Sequence, residues 1–291
     1  MIKLEIAHKK FIDHLQTEGK SQATLIAYNK DIEQLIGHLG NKGVDLVSDI
    51  NLKHLEEFMK NLADMEYTPK SISRKTNATR TFIKYLSIEG HMPKNIGEEL
   101  KHPKLQEKEP RILSKMEYRA LRDAAKNDSR SYAMIEVLLQ TGVTISELAG
   151  IKLADLDIKG ETGSMFIPKR NNKESRNIPL NKAVIEAITK YRTEERPNIA
   201  KAENLFITKT GNALLVRNIR STINRYFKLA GVAKAKVNDL RHTFVAHHLT
   251  AGVSILQLSK ISGHKRISTI ERYLNYIEKS NEPEKNDLGI L

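Results

Sequence analysis

Apolar residues recur at helical spacing along most of the chain. Leu25, Tyr28, Ile32, Leu35, Ile36 and Leu39 step by about three or four residues behind Ser21, a residue type that caps helix starts. The same reasoning predicts helices in FIDHLQTEG, ending at Gly19, in LKHLEEFMKNLADM, and in SISRKTNATRTFIKYLSIEG, stopped by Gly90. The segment KHPKLQEKEPR is polar and carries Pro103 and Pro110, so it reads as a linker. Beyond it, Ser114-Lys-Met-Glu117 has the form of a capping box ahead of helices over 115–126 and 130–141. The period then changes. LADLDI, SMFIPK and RNIPL, separated by GETG and NNKES, predict three short antiparallel strands. Asn181 caps a helix in KAVIEAITKYR, and LVRNIRSTINRYFKLAG closes at Gly231. DLRHTFVAHHLTAG, SILQLSKISG and STIERYLNYIEK complete the helices, with Ser268-x-x-Glu271 read as a capping box and Tyr273 two turns into the last one. The tail NEPEKNDLGIL reads as extended.

The fold class expected is therefore mainly α, in two domains: an N-terminal helical bundle and an α+β domain with a small three-stranded antiparallel sheet. The boundaries are 1–100 for the bundle, 101–111 for the linker, 112–280 for the second domain and 281–291 for the tail.

Composition removes several classes of function. The 291 residues are 40% hydrophobic, which is enough for real cores, and contain neither Cys nor Trp. A disulfide scaffold, thiolate metal sites and cysteine catalysis are excluded, and a reducing, cytoplasmic setting is expected. MIKLEIAHKKF does not read as a signal peptide, and no apolar run reaches the length of a membrane span.

Charge points to a polyanion. The net charge is +13. Residues 1–110 are close to neutral, with 17 basic and 16 acidic groups, whereas residues 111–291 carry 31 and 19. A domain with such an excess suits nucleic acid. Within the first half, Tyr67 to Ile88 hold five basic residues and no acid. At about 100° per residue, Lys70, Arg74, Arg80 and Lys84 fall within a stripe of about 120°. Ile72, Ala78, Phe82, Ile83 and Leu86 take the other side, so one face can pack while the other follows phosphates.

Two local patterns carry candidate chemistry. Asp239-Leu-Arg241-His242 opens one predicted helix, and Gly263-His264 precedes another that carries Tyr273. Singly, each has an ordinary structural reading, since Tyr273 shares a stripe with Ile270, Leu274 and Ile277. In order, LRHTF followed by SGHKRISTIERY resembles the tyrosine recombinase (phage integrase) family, and especially its short Xer-like members. LLQTGVTISELAGIKLADLDI is similar to the family's first catalytic signature, FIPKRNNKESRNIPL to its β-hairpin lysine segment, and residues 1–100 to its SAM-like core-binding domain.

The resemblance implies a site-specific recombinase that cleaves and rejoins double-stranded DNA through a 3′-phosphotyrosyl link. It implies a homotetramer in the synaptic complex, a monomer or dimer when free, and no metal or other cofactor. By motif, Tyr273 is the nucleophile, Arg241 the second arginine, His264 the second histidine and Lys169 the hairpin lysine, with Lys173 as the alternative. Arg170, Lys173, Arg176 and His242 join the basic helix as expected DNA contacts. Two positions depart from the family pattern. Thr144 stands where the first arginine is usual, and Asn238 where His or Lys is common. Thr144 also fits a capping box with Glu147. The alternative is thus a catalytically impaired member that binds specific DNA. Another cation could fill the gap, and Arg170, Lys173 and Arg176 are the expected sources.

Overall fold

A computed structural model describes residues 1–105, 109–170, 174–199 and 201–281. The chain divides into two units, residues 1–107 and 108–291. No described helix is long and apolar enough to cross a membrane.

In the first unit, α1 (Leu4–Thr17), α2 (Gln22–Gly40), α3 (Leu52–Asp64) and α4 (Pro69–Ile88) follow one another. Local signals set their ends. Ser21 accepts a hydrogen bond from Thr24 N–H, Asn51 caps α3, and Thr68 accepts from Ser71 N–H with Pro69 beside it. The first helix begins earlier than FIDHLQTEG, because Leu4 and Ala7 extend the buried stripe of Phe11 and Leu15. Phe11, Leu35, Phe58, Phe82 and Leu86 meet in the core of this unit.

The basic face of α4 is less free than its sequence suggests. Asp31 on α2, only 1% exposed, receives Lys75 at 2.8 Å and also Arg74. The acid missing from α4 is thus supplied by a neighbouring helix. Lys70 and Lys84 remain exposed and Arg80 is half-buried.

In the second unit, Ser114 caps α5 (Lys115–Ala125) in a full capping box with Glu117. Asp128 caps α6 (Ser129–Thr141), whose buried run from Ala133 to Leu139 forms the spine of the core. After α7 (Ile145–Gly150) come β1 (Leu156–Lys159), β2 (Thr162–Ile167) and β3 (Arg176–Leu180). They form one antiparallel sheet in the order β1-β2-β3, with Leu156 opposite Met165 and Met165 opposite Ile178. Met165, Ile167, Ile178 and Leu180 face the core, while Pro179 sits on an edge strand, where a missing donor is tolerated. Asn181 caps α8 (Lys182–Lys190), and α9 (Val216–Leu229) follows.

The last three helices are α10 (Val237–Thr250), α11 (Ile255–Ser262) and α12 (Ser268–Asn281). They close over a separate small core of Phe244, Val245, Ala246, Leu258, Ile270 and Tyr273. The reading of Ser268 as a cap is corrected. Ser268 is already helical, and Glu271 N–H bonds the Ile267 carbonyl, so α12 starts without the Ser268–Glu271 box. The expected tail, 281–291, lies outside the described residues except for Asn281.

Candidate active site

The site is assembled where α6 ends, α7 begins and α10 to α12 meet. Helix α6 stops at Gly142, which adopts φ +63°, a left-handed conformation that suits glycine. A Cβ there would collide with the Phe244 ring. The Gly142 carbonyl accepts a hydrogen bond from Arg241 Nη1. One glycine therefore ends a helix, admits Phe244 and presents an acceptor to the buried guanidinium. Gly142→Ala is expected to destabilise the second unit by about 2–4 kcal/mol, from left-handed strain plus overpacking. Urea unfolding reads this directly; an unchanged midpoint would contradict it.

Arg241 is 6% exposed. Its Nη2 lies 3.2 and 3.1 Å from the two ring nitrogens of His264. Burial lowers the guanidinium to about 10, opposed by Glu147 and assisted by Arg176, so it stays charged at neutral pH. Gly263, at φ +69°, caps α11 and turns the chain to bring in His264. Ser262 Oγ donates to the Leu258 carbonyl at 2.6 Å and lies 2.6 Å from His264 Nδ1. A hydroxyl whose proton is already donated must accept, so Nδ1 carries hydrogen and Nε2 offers its lone pair to Arg241.

Tyr273 lies on α12 facing this group and is 3% exposed. Its hydroxyl is hydrogen-bonded to His242 Nδ1. Burial pushes the phenol up to about 12, with Arg241 acting in the opposite sense. On the far side of the His242 ring, Nε2 meets Asn238 Nδ2 at 2.8 Å. Burial is the main cause that lowers the His242 imidazole below its ordinary value.

Thr144 caps α7. Its hydroxyl and backbone N–H both reach Glu147 Oε2, at 2.9 and 2.7 Å, and Glu147 N–H returns a bond to the hydroxyl at 3.3 Å. Beside it opens a cavity of about 350 Å³ lined by Thr144, Arg220, Asn224, Lys236, Asn238 and Arg241. Both departures from the family pattern therefore border one space.

The hairpin residues are distributed differently from expectation. Lys169 is 65% exposed on its side chain and pairs with Glu174 at 3.3 Å. Arg170 donates to the Ser146 carbonyl at 3.0 Å. Lys173 lies outside the described residues. Arg176 is a correction: its side chain is 9% exposed and is not a surface contact. It donates to the Ile261 carbonyl at 2.8 Å, to Glu147 Oε1 at 3.0 Å and to the Ser262 carbonyl at 3.4 Å. The reason is Glu147, a buried carboxylate that needs a partner. Gly263 adds room for it, since a Cβ there would fall 2.8 Å from the Arg176 guanidinium carbon.

The structure thus brings together Tyr273, Arg241, His264, His242 and Asn238, with Thr144 across the cavity. It leaves Lys169 on the surface. Sequence reading missed Gly142, Glu147, Ser262 and Arg220. Glu147 alone carried a signal, and only as the partner of a cap.

Family models give this arrangement a name. The model described as the phage integrase family matches residues 110–279, and that of the phage integrase N-terminal SAM-like domain matches residues 9–90. The chain belongs to the phage integrase family. Among curated proteins it is similar to tyrosine recombinase XerC of Natranaerobius thermophilus, at 30% identity over 90% of this chain and 91% of the relative. It is likewise similar to XerC of Oceanobacillus iheyensis, at 28% identity over 94% and 92%. In fold it resembles a lambda integrase dimer bound to a COC′ core site, with a TM-score of 0.75 and 18% identity over 99% of this chain and 81% of that one.

Proposed function

We propose that this chain is a site-specific DNA recombinase that cleaves and rejoins double-stranded DNA through a 3′-phosphotyrosyl link formed by Tyr273. The observation that carries the reading is one buried cluster, in which the Tyr273 hydroxyl is held at His242 beside the Arg241–His264 pair, in a chain whose family blocks run in order. Attack by the phenolic oxygen on phosphorus expels the 5′-oxygen and conserves the bond energy in the new ester. Charge then grows on the nonbridging oxygens. Arg241 supplies a permanently charged, two-pronged donor for them, and His264 becomes a second donor once Nε2 takes up a proton and turns from Arg241 to the phosphate. Lys169, on an exposed turn after β2, is the proton source for the leaving oxygen. No metal or nucleotide enters this scheme.

Binding draws on Lys70, Arg80 and Lys84, with Arg74 contributing through the part of its guanidinium not held by Asp31, and on Arg170 and Lys173 of the hairpin. The domains proposed are core-binding, 1–100, and catalytic, 112–280, joined by 101–111. The active assembly is a homotetramer on two duplexes, and its compartment is the cytoplasm.

A second reading is favoured by one observation: Thr144 is fully engaged as a cap, so the usual first arginine has no direct substitute on α7. In that reading the chain binds specific DNA without cutting it. Incubation with a pool of random-sequence duplexes, each nicked so that cleavage cannot reverse, separates the two. The recombinase forms a protein–DNA adduct that survives denaturation, and sequencing of the captured DNA gives its site. DNA retention without any adduct sinks the first reading.

A further inference from the structure

The two histidines near Tyr273 are held in different ways. His264 is engaged by Ser262 and Arg241. His242 touches the phenolic hydroxyl itself, with the two rings 5.7 Å apart and tilted by 44°. Asn238 lies one helical turn earlier on the same face of α10, where i and i+4 side chains meet, and it closes on the other ring nitrogen. Nucleophile, ring base and orienting amide thus stand in a row. This is the general arrangement that activates a weak oxygen nucleophile.

We infer that His242 accepts the Tyr273 proton as the phenolic oxygen attacks phosphorus, and that Asn238 orients the ring for that transfer. The inference rests on the recombinase reading and assigns its missing base. Asn238 cannot exchange a proton near neutral pH, so the residue four positions on performs the transfer. The amide has a donor at one end and an acceptor at the other. As placed, Nδ2 faces Nε2, and Nδ1–H then donates to the phenolic oxygen. Turned by about 180°, the amide oxygen accepts from Nε2–H and leaves Nδ1 with a lone pair toward the hydroxyl. The second arrangement is the reactive one. In it the Tyr273 oxygen bonds to phosphorus, the bond from phosphorus to the 5′-oxygen breaks, the phenolic proton moves to Nδ1, and the departing oxygen takes a proton from the Lys169 ammonium. Religation runs the same transfers backward.

The surroundings suit the task. With the phenol near 12, only about one chain in 10⁵ would hold a free phenolate at pH 7. His242 is neutral there because burial lowers it, Arg241 lowers it further and Asp239 opposes both. Among the described residues, those two and the Tyr273 phenol from α12 are the titratable groups that act on it.

The test is the rate of covalent adduct formation on a nicked duplex, measured from pH 5 to 9 with saturating DNA. The parental rate should fall as pH drops through the His242 value below 6.5, and stay level above it. His242→Gln keeps a hydrogen-bonding side chain, and with DNA saturating the rate is read apart from any change in affinity; it should react about 10²–10⁴-fold more slowly and speed up steadily with pH. Asn238→Leu, which removes the orienting amide, should lower the plateau and keep the acid limb. A more acidic nucleophile, 3-fluorotyrosine at position 273, should recover part of the His242→Gln loss while changing the parent little. Parental rates in His242→Gln, or an equal loss with either phenol, overturn the inference and leave the recombinase reading intact. A parent that forms no adduct at all removes both.

Discussion

A Tyr273→Phe chain is expected to bind its DNA with parental affinity and to form no covalent adduct. The loss is total because no other hydroxyl among the described residues of the cluster can stand in for the phenol. The Ser262 hydroxyl, beside His264, is fully buried and already donates to the Leu258 carbonyl. The fold should survive. The substituted phenyl ring still packs with Ile270, Leu258 and Phe244, and only the hydroxyl leaves. Its departure strands His242 Nδ1 in a half-buried position, which costs about 1–3 kcal/mol, a fraction of ordinary domain stability. Adduct formation on the nicked duplex, with binding measured alongside by gel shift, checks both halves. An adduct in the Tyr273→Phe chain would move the nucleophile elsewhere and remove the central claim.

How much of this was legible in the sequence depends on how local the signals were. Ser21, Ser114, Thr144 and Asn181 announce helix starts because a cap joins residues only three apart, and all four accept the expected backbone N–H. The strands were legible for the same reason, since GETG turns β1 directly into β2. Arg241, His264 and Tyr273 all belong to the run of helices from α10 to α12, so their order in the chain carried much of the geometry. What failed was non-local. Arg176 opens β3 directly after a polar segment and reads as exposed, yet its partner Glu147 is 29 residues away and buried. Asp31 neutralises α4 from another helix, 43 and 44 positions before its two partners. The face of His242 was also hidden. Helix α10 is buried through Val237, Leu240, Arg241, Phe244 and Val245, nearly all round, so its periodicity could not say which side met α12.

Thr144→Arg should speed adduct formation by about 10²–10³, the rate one preorganised transition-state donor typically supplies. The physical case weighs two effects. The substitution removes a capping hydroxyl, which costs about 0.5–2 kcal/mol of stability. Part of the cap remains, because Glu147 also accepts the residue 144 backbone N–H at 2.7 Å, and that bond needs no side chain. Against this, a new guanidinium has somewhere to go, since a cavity of about 350 Å³ is lined by both Thr144 and Arg241. A transition-state gain of about 2.7–4 kcal/mol exceeds the capping loss, and the loss falls on stability rather than rate. Arg220 decides how much of the gain appears. It lines the same cavity from α9, as Lys236 does from the start of α10, and its planar guanidinium makes it the closer chemical match for the absent arginine. Arg170 and Arg176 are already engaged with Ser146 and Glu147. If Arg220 fills that role, Arg220→Ala alone slows cleavage, and Thr144→Arg restores it in the double variant. The coupling between the two substitutions, measured as adduct rates in all four chains, should then exceed the few tenths of a kcal/mol typical of independent sites. Additive effects would mean that Arg220 only follows the DNA backbone, and the full gain would belong to Thr144→Arg alone.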